Sequence, residues 1–302
     1  MTEIRGIIPI LPTPFHDDGR VDEAGMRSVV RYVLAAGAHG VAFPAMASEF
    51  YSLTDTERVR LTELIIHEVG GAVPVVGTAT AQNADTALEL ATAVDRLGVD
   101  AIIVMPPYVV RDSLPGTTRL FERLAAAVKA PLMLQNAPPP LGSAYRADVI
   151  AELMRSVPRL SYVKEECAPG GQLITSLLKQ APDSIHGVFG GAGGRYIMDE
   201  LNRGAIGAMP AAEITEVHVK IFELYQSGDQ TGARALYNRS LPLLIFQAVF
   251  RMNMTKEVLR RRGIIGSAHV RMGAVPLDDI DQAELGTLLG ELADLLDPPV
   301  AG

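Results

Sequence analysis

Tryptophan is absent from this chain of 302 residues, and aromatic side chains make up only 5% of it. Cys167 is the single cysteine, so no intrachain disulfide framework can staple the fold. Positive charge is scarce as well. Against 35 Asp and Glu stand 27 Lys and Arg, a net charge of −8, which argues against a nucleic-acid footprint, since binding phosphates requires a basic face. No apolar run reaches the roughly 18 residues of a membrane span, and no charged-then-apolar leader with a cleavage site opens the chain. The expectation is a cytoplasmic protein without membrane or nucleic-acid partners. The six histidines are scattered, with no HxH or HExxH spacing, so neither a zinc site nor another metal cofactor is expected.

What is present is apolar and periodic. Hydrophobic residues make up 48% of the chain, enough for a sizeable core. Short runs rich in Ile and Val recur at 6–12, 40–43, 73–78, 101–105, 131–135, 160–164, 186–190 and 205–209. They are nearly continuous rather than alternating, the pattern of strands buried on both faces of a parallel sheet. Helical periodicity fills the gaps, at 22–36, from Thr54 onward with Glu57 completing a capping box, and at 83–97, 116–128, 146–156, 171–180, 194–203 and 213–227. Eight strands alternating with eight helices predict an α/β fold, a (β/α)8 TIM barrel over 1–228. An open doubly wound sheet would carry a glycine fingerprint after its first strand, and ILPTPF has none. The remainder, 229–302, predicts helices at 230–253, 254–262 and 279–296 packed on the barrel, with a frayed PPVAG end.

Barrel chemistry sits at the C-terminal ends of the strands. There the sequence places the run from Pro44 to Phe50, then Pro106-Pro107-Tyr108, Gln135-Asn136, Lys164-Glu165-Glu166, the GGAGGR run from Gly190 to Arg195, and Met209-Pro210. Lys164 is one of only five lysines. Strand alternation turns Lys164 and Glu166 to one face and Glu165 to the other. Burial favours the neutral amine, the form that attacks a ketone to make a Schiff base. The competing reading is a lysine at a strand end pairing with a glutamate in solvent. The glycine run resembles no Walker or dinucleotide pattern and reads as a turn with close backbone approach rather than a phosphate cradle. Cys167 reads as a small buried residue, and the methionines of FRMNM (250–254) as packing.

These segments resemble the dihydrodipicolinate synthase/N-acetylneuraminate lyase family of Schiff-base lyases, from ILPTPF to RMGAVPL near residue 275. Ala45–Glu49 stands at the family's GTTGE, Pro106-Pro107-Tyr108 at TPYY, LQNAP (134–138) at YNVP and VKEE (163–166) at IKE. The resemblance implies a barrel with three C-terminal helices, a homo-oligomer (usually a tetramer), metal-free chemistry and Lys164 as the imine-forming residue. It also shows departures. The family's proton-shuttling tyrosine is Gln135 here, and the arginine that grips a substrate carboxylate in dihydrodipicolinate synthases falls at Pro140. These point away from dihydrodipicolinate synthase and sialic acid lyase activity. LQNAP, Lys-x-Glu and SEF resemble the L-2-keto-3-deoxyarabonate dehydratase-like branch, in which the glutamate two after the lysine takes over proton transfer.

The expected activity is therefore a class I lyase of an α-keto acid, foremost a 2-keto-3-deoxy sugar acid dehydratase. In that reading Lys164 and Glu166 are catalytic. Ala47 and Ser48 hold the substrate carboxylate, Tyr108 and Gln135 bind or orient, and Gly190, Gly191 and Met209 line the pocket. The covalent imine serves in place of a cofactor. Pyruvate-dependent aldol cleavage or condensation, a non-catalytic keto-acid binder and a phosphate-sugar isomerase barrel remain as alternatives.

Overall fold

The computed structural model describes residues 4–296 apart from 111, 141 and 274; the expected frayed PPVAG end lies outside them. Eight strands, β1 (Gly6–Ile7), β2 (Val41–Phe43), β3 (Val75–Thr78), β4 (Ala101–Val104), β5 (Leu132–Asn136), β6 (Leu160–Glu165), β7 (Gly187–Gly190) and β8 (Gly207–Ala208), all pair in parallel. Their order is β1-β8-β7-β6-β5-β4-β3-β2. The ring closes just past β1, where Ile10 bridges both Ala42 and Ala211. The first and last strands are shorter than the apolar runs that predict them. Pro9 and Pro12 interrupt the first run, since proline cannot donate to a ladder.

The eight strand-following helices are α1 (Glu23–Ala35), α2 (Asp55–Val69), α3 (Ala84–Leu97), α4 (Leu114–Ala127), α5 (Ala147–Ser156), α6 (Gly170–Gln180), α7 (Ile197–Asn202) and α8 (Thr215–Gln226). Thr54 and Glu57 form the capping box expected at α2, and Gly70 ends that helix at φ 58°. The helix expected over 194–203 is shorter, because a one-turn 3-10 helix, Ala192–Gly194, precedes α7. After α8 come α9 (Gln230–Phe250), α10 (Met252–Arg261) and α11 (Asp279–Gly290). Leu243, Leu244, Met254, Val258, Leu285 and Leu288 of these helices share one apolar cluster with Ile7 and Ala208 of the barrel.

Strand parity decides what faces the barrel's inside. Ala42, Val76, Ala101, Ile103, Met133, Tyr162, Phe189 and Met209 fill the interior, while Ile102, Val104, Leu132, Leu134, Val163 and Val188 face the helices. Each Val, Ile, Leu, Met or Phe among them contributes about 1.5–3 kcal/mol on full burial. Leu160 and Val163, three residues apart, both lie in the outer cluster, which strict alternation forbids. A register shift explains it: Leu132 pairs with Leu160, but Met133 pairs with Tyr162. This bulge puts one extra residue, Ser161, on β6 and turns Tyr162, and with it Lys164, to the inside.

Candidate active site

Past Tyr162 on the same face comes Lys164, with only 3% of its side chain exposed. Its Nζ lies 3.3 Å from Oε1 of Glu166, just beyond the end of β6. On the neighbouring strand Gln135 pairs in register with Lys164 and donates Nε2–H to Glu166 Oε2 at 2.6 Å. The backbone N–H of Ala192 donates to Glu166 Oε1 at 3.1 Å. Burial by itself would raise the Glu166 pKa. The Lys164 charge, the Gln135 amide and the Ala192 N–H outweigh it, and the carboxyl is held below its usual range. An amine and an ionised carboxylate in contact, with the carboxylate fixed by two other donors, can pass a proton between them and to a bound molecule.

Glu165 faces outward, as alternation requires. It is fully buried and accepts from Asn136 Nδ2 at 2.8 and 3.1 Å and from Cys167 N–H at 2.7 Å. Burial pushes Glu165 up to about 7, and burial beside it pushes the Cys167 thiol up to about 12, which keeps Cys167 an inert packing residue. Gly190 and Gly191 do not line the cavity. A Cβ on Gly190 would overlap the Glu200 carboxylate, and one on Gly191 would overlap Glu166. The two glycines let acidic side chains approach the backbone of β7. Glu200 is buried there and Oε2 has no hydrogen-bond partner among the described residues. Burial, and then repulsion from Glu166, Asp199 and Glu165, pushes it up to about 8.

The run after β2 folds into two one-turn 3-10 helices, Met46–Ser48 and Phe50–Ser52. Ala47 lines the main cavity. Ser48 does not: it is fully buried, its hydroxyl donates to Leu11 O at 2.5 Å and accepts from Ala45 N–H at 3.1 Å. Its own N–H is taken by Ala45 O. The free donors of this turn are instead the N–H groups of Met46 and Ala47, which bond to nothing else among the described residues. Glu49, at φ 57°, anchors the turn from behind. Its carboxylate pairs with Lys256 of α10 and accepts from Arg271 N–H at 3.0 Å, and Lys256 also donates to His269 O at 2.8 Å.

The cavity above Lys164 has a volume of about 420 Å³, within the usual range for small-molecule sites. Met209 closes it on the β8 side, and Pro139 and Pro140 on the β5 side. Tyr108 lies in an adjoining recess that shares Met46, Met105, Arg251 and Met252 with the main cavity, its ring edge-on to Phe50 at 5.8 Å. Thus Lys164, Glu166, Ala47 and Met209 meet on one cavity, Gln135 supports it, and Ser48, Gly190 and Gly191 stand behind it. Strand-end reasoning missed the wall built by the C-terminal helices: Gln247 and Arg251 from α9 and its end, and Met252 of FRMNM. In the sequence only the boundary expected between the helices at 230–253 and 254–262 marked that place, and the structure sets it earlier, at Arg251.

Residues 3–292 match the model of the dihydrodipicolinate synthetase family. The chain is 30% identical over 296 residues to an L-2-keto-3-deoxyarabonate dehydratase of Azospirillum brasilense, covering 97% of this chain and 96% of that one. It is 33% identical over 250 residues to a 4-hydroxy-tetrahydrodipicolinate synthase of Methanopyrus kandleri, with 80% of each chain covered. Among solved structures, YagE, a prophage protein of E. coli K12 crystallised in complex with pyruvate, superposes with a TM-score of 0.90 at 27% identity, covering 98% of this chain and 100% of that one.

Proposed function

The chain belongs to the dihydrodipicolinate synthetase family, and from that premise we propose that it is a Schiff-base lyase of an α-keto acid, foremost a dehydratase of a 2-keto-3-deoxy sugar acid. The observation that carries this reading is the 3.3 Å contact between Lys164 Nζ and Glu166 Oε1 at the cavity wall.

In this mechanism the N–H groups of Met46 and Ala47 hold the substrate's C1 carboxylate. Lys164 passes a proton to Glu166 and attacks the C2 ketone as the neutral amine. The carbinolamine loses water, which takes the proton back from Glu166, and a protonated imine remains. Glu166, again a carboxylate, removes a proton from C3 and the imine nitrogen accepts the electron pair as an enamine. The enamine pushes out the C4 hydroxyl, which leaves as water with the proton Glu166 has just gained. Hydrolysis of the conjugated imine frees Lys164 and the dehydrated keto acid. Gln135 takes no part as an acid or base, since its amide does not titrate near neutrality. It fixes the carboxylate that does.

The same imine supports a second reading, cleavage or formation of the C3–C4 bond by a pyruvate-dependent aldolase. The 33% identity to a 4-hydroxy-tetrahydrodipicolinate synthase favours it, whereas the amide of Gln135 in place of a titrating shuttle favours the dehydratase. Product analysis separates them. Incubation with L-2-keto-3-deoxyarabonate and its longer homologues should yield the keto acid less one water. Release of pyruvate and an aldehyde in its place would establish the aldolase.

A further inference from the structure

The cavity carries more positive charge than one carboxylate can balance. Lys164, Arg195 and Arg251 line it, and among the described residues the only carboxylate on its wall is Glu166, already engaged by Lys164, Gln135 and Ala192. This excess sits in a chain whose net charge is −8. Arg195 has no carboxylate partner among the described residues. Its Nη1 donates to Gln247 Oε1 at 3.1 Å and to Leu244 O at 3.4 Å, both on α9. Those neutral acceptors hold the guanidinium in place without neutralising it. Burial lowers the Arg195 pKa and the like charge of Arg251 adds to it, while Tyr196, Glu166 and Glu213 work against the shift without reversing it. Two guanidinium groups thus repel one another beside the same space.

The second arginine is placed at a backbone cost. Arg251 is the single residue between α9 and α10, at φ 49° and ψ −120°, a region in which glycine is relaxed and other residues are strained. Its N–H closes α9 on Gln247 O at 2.7 Å, which any residue would do. Its side chain makes no ion pair among the described residues. A long cation thus stands on the cavity wall at a position where glycine fits best, a strained placement of the kind found at binding sites. On the β5 side Pro139 and Pro140 offer no charge, so an anion at the far end of a bound molecule is met by Arg195, between β7 and α7, and by Arg251, between α9 and α10.

We propose that the substrate carries a second carboxylate, at the end remote from its C2 ketone, and that Arg195 and Arg251 bind it. The substrate class is then a keto diacid, a 2-keto-3-deoxy sugar acid oxidised at both ends. A phosphate fits less well. The N–H groups of Ala192, Gly194 and Arg195 in the glycine run are spent on Glu166 Oε1, Gly191 O and Ala192 O, which leaves no backbone cradle of the usual kind. This proposal rests on the Schiff-base reading above and narrows it.

The test compares 2-oxoadipate with 2-oxohexanoate, six-carbon keto acids that differ in the terminal carboxylate alone. Each is titrated against the intact protein with borohydride, and the half-saturating concentration for adduct formation on Lys164 is read by mass spectrometry. The wild-type protein should bind the diacid about 10- to 100-fold more tightly, the range of one or two charge-assisted hydrogen bonds. Arg251→Gly, at a position where glycine relaxes the backbone, should bring the two within about 3-fold of each other, and Arg195→Gln should narrow the gap independently. Equal affinities in the wild type, or a preference that survives Arg251→Gly, would overturn the proposal. Pyruvate serves as the control. An adduct with pyruvate but no diacid preference defeats this inference alone, while no adduct with any keto acid defeats the reading beneath it.

Discussion

Gln135 and Glu166 meet side by side past the ends of β5 and β6, the amide Nε2–H donating to the carboxylate Oε2 at 2.6 Å. That bond, the Ala192 N–H and the Lys164 charge hold Glu166 ionised against its burial. A base must be a carboxylate to work, so activity is lost as pH falls through the Glu166 pKa. In the wild-type protein that loss should lie below the usual carboxylate value of 4.5. Gln135→Leu removes one donor to the ionised form. The acid limb of the kcat profile should move up toward ordinary carboxylate values, with kcat lower by roughly 10-fold. A limb that stays in place in the variant would show that Gln135 does not position Glu166.

Glu200 supplies a stability prediction with a definite sign. Its folded pKa is raised from 4.5 to about 8, first by burial. Between those values the unfolded chain gives up the Glu200 proton while the folded protein keeps it. The group's contribution to stability is therefore whole below 4.5 and is lost as pH rises through about 8. Glu200→Gln has no proton to lose. Its melting temperature relative to wild type should improve by roughly 2 °C or more between about pH 5 and about pH 8.5, read by thermal denaturation at both. A difference independent of pH would mean that Glu200 is ionised in the folded protein.

The pair Lys256–Glu49 ties α10 to the turn that presents Met46 and Ala47. Both side chains are fully buried. Lys256→Met strands the Glu49 charge and should cost about 3–5 kcal/mol in urea denaturation. Lys256→Met with Glu49→Gln should recover much of that loss, because no uncompensated charge remains. Additive losses in the double variant would contradict a direct coupling.

The barrel was legible because its strands are short, apolar and spaced by helical periodicity. The edges failed where proline removed ladder donors at 9 and 12, and where GGAGGR folded into a separate 3-10 turn ahead of α7. Alternation correctly put Lys164 beside Glu166 and turned Glu165 away. It could not place that pair inside the barrel, since the bulge at Ser161 depends on pairing with β5. Ser48 looked like a free hydroxyl because nothing in its own segment reveals that Leu11 O and Ala45 N–H claim it. Arg195 sat in the strand-end run GGAGGR, but the place of Arg251 depends on how α9 and α10 cross the barrel mouth, a tertiary contact without local periodicity. Lys256 escaped notice for the same reason.

Glu166 is the proposed base for C3, and its removal separates imine formation from turnover. Glu166→Gln should still yield a trapped adduct, while turnover of a 2-keto-3-deoxy sugar acid falls by about 100-fold or more. Turnover at the wild-type rate would remove Glu166 from the mechanism.

The most direct measurement is peptide mapping after incubation of the wild-type protein with pyruvate and borohydride. A reduced pyruvyl adduct confined to Lys164, one lysine of five, is the predicted result. No adduct, or one spread over Lys129, Lys179, Lys220 and Lys256 while Lys164 stays unmodified, would contradict the account.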